Sequence, residues 1–370
     1  MTITIDPVEL TSQLVQIPSE SSTPLTTRQE SAEELVAAHL SSICRQAEVE
    51  HELFTALPGR RNLIARFPAP GRPSLLIMAH MDTVSAREMS APFSGEIKEG
   101  RLLGRGACDD KGPLAAAFAA LINIKAENRA FDTTFAATVD EECTMSGSRA
   151  LALRKPEFDL CIALEPTTLR VIHAHKGVYR CRIICGGKAC HSSQPEQGQN
   201  AIIAMYDIMT DLQRLEFKLR RHPDRELGRA SLAITKINGG SSINIIPDHC
   251  EISVDIRLLP SHDPAEAARQ IRAICAGRAK VEDIFQARAI KTDLDNQHIK
   301  RLRRATAAQG HDLPPATASY ATDCAQLCHL GPCIVWGPGD IAQAHQQNEY
   351  IELEQLRDAH KILLNFLSVD

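Results

Sequence analysis

The segment SLLIMAH, residues 74–80, joins an apolar run to a terminal imidazole, and Asp82 follows two places on. An apolar run without polar alternation suits a strand covered on both faces, as in a parallel sheet. Positions i and i+2 of a strand point the same way, so His80 and Asp82 share one side at the strand's end. A core histidine satisfied by an acidic neighbour would look like this. So would a metal-bound histidine whose second ring nitrogen is held by a carboxylate. Taken alone, the stretch favours the core histidine.

The surrounding pattern is one of strands alternating with helices. DPVELTSQLVQI (6–17) and RQESAEELVAAHLSSICRQA (28–47) have apolar residues recurring at three and four, the period of an amphipathic helix. NLIARF and SLLIMAH read as strands parted by the turn PAPGRP. RLLGRGACDDKG is a glycine-rich loop, and PLAAAFAALINIKAEN follows as a helix opening at Pro113. TTFAATVDEE and DLCIALEPT are strands ending in acids, with the helix SGSRALALR between them. This alternation predicts an α/β fold: a mostly parallel, mixed sheet between helices.

The character changes near residue 176. GVYRCRIICGG, RASLAITKINGG, CEISVDIRLLP and AKVEDIFQARAI read as strands, with long amphipathic helices at NAIIAMYDIMTDLQRLEFKLR and DPAEAARQIRAICAG. They predict an inserted α+β domain over 176–287, within a larger domain made of 1–175 and 288–370. Two domains also suit a chain of 370 residues, which is long for one core.

Composition excludes several classes. A net charge of −5 offers no basic footprint for nucleic acid. No apolar run approaches the ~20 residues of a membrane helix. The start, MTITIDPVELTSQLVQIPSE, has neither the basic head nor the apolar centre of a signal peptide, so a cytoplasmic location is expected. Twelve cysteines are then expected to be reduced and mostly buried. Cys181, Cys185, Cys190 and Cys324, Cys328, Cys333 repeat one spacing, but no CxxC pair occurs and the repeat reads as coincidence.

The acids change the reading of His80. Ligands of open α/β sheets gather beyond the C-terminal ends of the strands. His80 and Asp82 end one strand; Asp140, Glu141 and Glu142 end another; Glu165 ends a third. Asp109 and Asp110 lie in the glycine-rich loop, and His345 comes late, in QAHQQNEY. So many carboxylates at one sheet edge repel unless cations hold them, and a metal centre becomes the favoured reading. Mixed imidazole and carboxylate ligands suit zinc, with manganese or cobalt as options. Two ions sharing a bridging carboxylate activate water and polarise a carbonyl. Glu141 and Glu142 cannot both face one ion in an extended chain, so one is a ligand and the other a general base; spacing does not say which. A phosphate loop is excluded because the lysine of GRGACDDKG precedes the final glycine, and no GxSxG elbow occurs.

AHMDTV, GRGACDDKG, VDEE, ALEPT, HSSQPEQGQNAI, NIIPDHCEISVDIRLLP and GPGDIAQAHQQNEY stand in the order of a known family. Nearly end to end, the chain resembles the di-zinc aminoacylase, acetylornithine deacetylase, succinyl-diaminopimelate desuccinylase and carboxypeptidase G-type metallohydrolases. The resemblance implies a zinc-peptidase-like catalytic domain with a lid domain that also forms a homodimer. It implies His80, Asp109 and Glu165 as ligands of one ion, and Asp109, Glu142 and His345 as ligands of the other. Glu141 would be the general base and Asp82 the residue orienting His80. In the lid, His191 would reach across a dimer to the oxyanion, while Asn244 and Arg257 would hold a substrate carboxylate.

EPTTLRVIHAHKG and GPGDIAQAHQQNEYIE look most like acetylornithine deacetylases. The expected substrate is therefore a small N-acyl amino acid, N-acetylornithine in arginine biosynthesis or N-acetylcitrulline. YATDCAQL departs from the TEA-type triplet of that branch, and its Thr322–Asp323 pair resembles the carboxypeptidase G branch. Dipeptidase, carboxypeptidase G-like or desuccinylase activity are the alternatives. A catalytically silent binding relative is a further one, against which stands the intact set of matched positions.

Overall fold

A computed structural model describes residues 3–21, 32–86 and 89–369, and the chain divides into two compact units. The first comprises Met1–His173, Thr292–Ala316 and Thr322–Asp370. The second comprises Ala174–Lys291 and Thr317–Ala321.

The centre of the first unit is parallel. Strand Ser74–His80 runs beside Asp132–Thr138, pairing Ser74 with Asp132 and His80 with Thr138. On its other side it pairs with Leu160–Ala163, and that strand runs parallel to Cys333–Val335. Arg60–Phe67 and then His51–Leu57 add antiparallel strands beyond Asp132–Thr138. Because the four central strands point one way, the segments following His80, Thr138, Ala163 and Val335 all emerge at one end of the sheet.

Both faces of these strands are covered, which explains their apolar runs. Leu75, Ile77, Ala79, Phe135, Leu160, Ile162 and Ile334 join one core cluster with the helices Pro7–Val15, Glu33–Gln46, Lys111–Asn123, Gln297–Ala308 and Leu353–Leu367. The alternate positions Leu76, Met78, Cys161 and Cys333 are buried as well, and the short helix Cys324–Leu327 packs on the strands that carry Cys161 and Cys333. The helix expected over 28–47 is seen as Glu33–Gln46, and residues 28–31 lie outside the described residues.

Lys111–Asn123 is the most enclosed helix. Every residue from Lys111 to Ile122 is buried, as suits an Ala-rich helix without a polar face. It starts two residues before the expected Pro113, which sits inside the first turn, where its missing N–H breaks no ladder bond. Asp109 and Asp110 therefore lead directly into a core helix.

The second unit is a four-stranded antiparallel sheet in the order Ser231–Gly239, His249–Leu258, Gly177–Gly186, Lys280–Ala287. Helices Ala201–Leu219 and Pro264–Cys275 pack on it, meeting Cys181, Ile183, Cys185, Ile252, Val254 and Ile256. Asn200 and Asp263 cap the two helices with side-chain oxygens. Sequence periodicity carries no sign that residues 317–321 return to this unit.

Candidate metal centre

At the C-terminal end of the parallel strands, six carboxyl groups surround two imidazoles. His80 is buried at the end of its strand, and its Nε2 lies 3.0 Å from Asp109 Oδ1. The other oxygen of Asp109 lies 3.4 Å from His345 Nε2, which is also 3.1 Å from Glu142 Oε1. One carboxylate thus stands between two histidines, presenting an oxygen to each. Ligand atoms of His80, Asp109 and Glu142 lie within 4.8 Å of one another, as do those of His80, Glu141 and Glu165. The second group differs from the expected division by placing Glu141, rather than Asp109, with Glu165.

Asp82 acts differently from a simple histidine partner. His80 Nδ1 lies 2.9 Å from the Asp82 backbone carbonyl, while the Asp82 carboxylate is 3.6 Å away. That carboxylate instead accepts the backbone N–H groups of Glu141 at 3.0 Å and Glu142 at 3.2 Å. It ties the acidic turn to the histidine strand, so both move as one piece.

The acidic turn is held from behind as well. Asp140 does not join the two-histidine cluster; its Oδ1 accepts from Arg60 Nη1 at 2.8 Å. Arg60 also makes a two-point contact with Glu33, at 2.5 Å to each oxygen, and all three side chains are buried. Removing one partner of a buried ion pair strands the others, at a cost of ~3–5 kcal/mol. Arg60→Met is accordingly expected to destabilise the protein by about that amount, measured by denaturant unfolding. A loss under about 1 kcal/mol would show that this triad does not anchor the turn.

The loop GRGACDDKG is equally constrained. Gly106 has φ of +85°, and a Cβ there would sit 2.7 Å from Thr83 Cγ2, so only glycine fits without movement. Glu349 accepts the amides of Cys108 at 3.0 Å and Asp109 at 3.1 Å and pairs with Arg105. Lys111 Nζ is buried and donates to the Ile17 carbonyl at 2.7 Å; burial lowers its pKa to about 7. Cys108, in the same loop, is buried, and its thiol donates to the Asp340 carbonyl. The Asp109–Asp110 peptide is cis. Asp110 Oδ2 accepts from His80 N at 3.2 Å, whereas its Oδ1 has no hydrogen-bond partner among the described residues.

The electrostatics are those of a cation site. Burial drives the carboxyls of Glu141, Glu165 and Asp110 well above the usual range, with neighbouring carboxylates adding to it. Burial disfavours ionised Asp109, but hydrogen bonds from His345 and His80 bring its pKa below normal. His345 is pushed up to about 10, first by its bond to Asp109 and then by Glu142. Such an excess of enclosed oxygen donors, with an orphaned Asp110 oxygen among them, fits divalent ions. His345 is about half exposed (52%), so this side of the cluster faces solvent. It also holds φ of +65°, rare for a residue with a side chain and frequent at functional sites.

The remaining expected residues belong to the second unit. His191 pairs in register with Ile245, is exposed, and has Nδ1 2.8 Å from Ser193 Oγ. The Ser192 amide donates to the Asn244 carbonyl at 3.0 Å, placing His191 and Asn244 on adjoining segments. Arg257 is partly exposed, and its Nε donates to Asp255 Oδ1 at 2.7 Å. Asp323, singled out in the sequence as a departure, is buried. Its oxygens accept from Thr138 Oγ1 at 2.7 Å and Ser148 Oγ at 2.5 Å, and burial raises its pKa to about 6. Sequence reasoning missed Glu349, Arg105, Arg60 and Glu33 as supports. The one available signal was that Glu349 shares the quoted QAHQQNEY motif with His345.

Comparison with known proteins identifies the family of the chain. The model of peptidase family M20/M25/M40 matches residues 76–369. The acetylornithine deacetylase of Proteus mirabilis is 31% identical over 375 residues, covering 96% of this chain and 94% of that protein. Among solved structures, the M20 family metallo-carboxypeptidase Sso-CP2 of Sulfolobus solfataricus superposes with a TM-score of 0.80 at 17% identity, covering 98% of each chain. The YXEP protein of Bacillus subtilis, described as a dinuclear metal-binding peptidase, gives 0.68 at 17% identity over 97% of this chain and 96% of that one. Among the described residues no helix is long and apolar enough to cross a membrane. A family match across most of the chain, together with imidazoles and carboxylates gathered at one sheet end, has a single reading: this chain is a metallohydrolase belonging to peptidase family M20/M25/M40.

Proposed function

We propose that the protein hydrolyses the amide bond of small N-acyl-L-amino acids, with N-acetylornithine as first substrate and N-acetylcitrulline as a close relative. The observation that carries this is Asp109, whose two oxygens lie 3.0 Å from His80 Nε2 and 3.4 Å from His345 Nε2. In this reading His80, Asp109 and Glu165 hold one divalent ion and Asp109, Glu142 and His345 hold the other, zinc first and cobalt or manganese as substitutes. When bound, such a pair polarises an amide carbonyl and acidifies water.

The chain's own groups supply the rest. Glu141 takes a proton from the attacking water and passes it to the leaving amine, a task suited to a carboxyl that burial has made more basic. Asp82 holds His80 and the Glu141–Glu142 turn in fixed relation. His191 is assigned to the oxyanion, acting across a homodimer, and Asn244 and Arg257 to the substrate carboxylate. For Arg257 this means sharing its guanidinium with Asp255. The acetyl-diamino acid reading is supported by the Proteus mirabilis relative.

A second reading, a dipeptidase or carboxypeptidase G-like activity, is favoured by Asp323. Buried and bonded to Thr138 and Ser148, this side chain is unavailable to a substrate amine, so the departure from the deacetylase triplet removes a possible amine contact. A panel of N-acetyl amino acids, acyl-glutamates and dipeptides separates the two. Acetylornithine or acetylcitrulline is expected to give the highest kcat/KM, with turnover abolished by chelator and restored by zinc or cobalt. Preference for dipeptides or acyl-glutamates would replace the first reading with the second. Chelator-insensitive turnover would end both.

A further inference from the structure

A second cluster of metal-ligating side chains lies inside the first unit, and the proposed reaction makes no use of it. Cys161 and Cys333 are partners in register on neighbouring parallel strands, so their side chains rise from the same face of the sheet. Cys324 opens the short helix Cys324–Leu327 that packs on these two strands. The three Sγ atoms all lie within 4.8 Å of one another, and the residues are 0–1% exposed. The spacing repeat noted in the sequence is thus only partly meaningful. Cys324 and Cys333 meet Cys161, while Cys328 turns aside to the Ala325 carbonyl.

From this geometry we propose a sulfur-only site for a thiophilic closed-shell ion, of the monovalent copper or zinc-group class, separate from the carboxylate–imidazole centre. Metal–sulfur bonds of about 2.3 Å in a trigonal site put the sulfurs about 4 Å apart, a spacing that falls within the 4.8 Å bounding their present separations. Soft sulfur donors without oxygen or imidazole select such ions over magnesium, calcium or manganese. Each thiol that becomes a ligand must release its proton. Burial holds the Cys161 thiol far above the usual range, so uptake that displaces its proton is favoured by rising pH. Enclosure makes uptake depend on local opening.

Cadmium serves as the probe, with protein whose carboxylate centre is already filled with zinc and whose thiols are kept reduced by a phosphine. After incubation to constant signal, one extra cadmium per chain is expected. It should show a sulfur-to-cadmium charge-transfer absorption and a cadmium-113 resonance in the sulfur-ligated range. Cys324→Ala is expected to abolish both signals, and Cys328→Ala to leave them unchanged. Thermal unfolding checks that each variant is folded, and the titration of the unaltered chain decides the matter if a variant is not. Refolding in the presence of cadmium provides a second route past the enclosure. Absence of sulfur-ligated cadmium by both routes would overturn the site, as would signals that survive Cys324→Ala in folded protein.

Discussion

Glu141→Gln is expected to lower kcat by ~10²–10⁴-fold while the protein stays folded and keeps its metal. The substitution preserves the side chain's shape and the backbone donation from Glu141 to Asp82, so the turn stays in place. What it removes is a carboxyl able to take and return a proton. Loss of an interaction made only in the transition state lowers kcat and kcat/KM together and leaves KM near its original value. Steady-state kinetics beside metal analysis make the test sharp, because Glu141 also groups with His80 and Glu165 as a candidate ligand. A fall in metal content would make it a ligand rather than a base. Near-normal turnover would remove it from the chemistry altogether.

Asp109→Ala should have the largest effect on metal content. The residue presents one oxygen towards His80 and the other towards His345, so both ions of the proposed pair depend on it. Elemental analysis is expected to fall from two ions per chain to one or none. If the lost ions contribute ~4 kcal/mol of transition-state stabilisation, activity falls by about 10³-fold or more. A bound ion at 100 times its Kd adds about 2.7 kcal/mol to stability, so the rise in Tm on adding zinc should shrink in the variant. Two retained ions and an unchanged zinc response would place the metal elsewhere.

The sequence exposed the class of the fold because its central strands are apolar on both faces and end abruptly in acids. Their parallel registers then bring His80, Asp109, Glu142 and His345 within 3.0–3.4 Å contacts. Local pattern could not show how that arrangement is supported. Arg60 reaches Glu33 and Asp140, and Glu349 reaches the Cys108 and Asp109 amides, across long stretches of chain. Such partners leave no periodic trace, since each is an ordinary charged residue until the fold encloses it. Asp140 illustrates the point: adjacent to two acids at the site, it turns to a buried arginine instead. Pro113 misled by two residues because proline is as acceptable within a first turn as at its opening.

His80 lies in the chain's first quarter and His345 near its end, and Asp109 makes contact with both. In the proposed pairing, a chain still growing on a ribosome carries His80, Asp109 and Glu165 early but lacks His345, so the second ion's set closes only near the end of synthesis. On that reading, capture of the full ion pair marks completed synthesis and is withheld from any product cut short before residue 345.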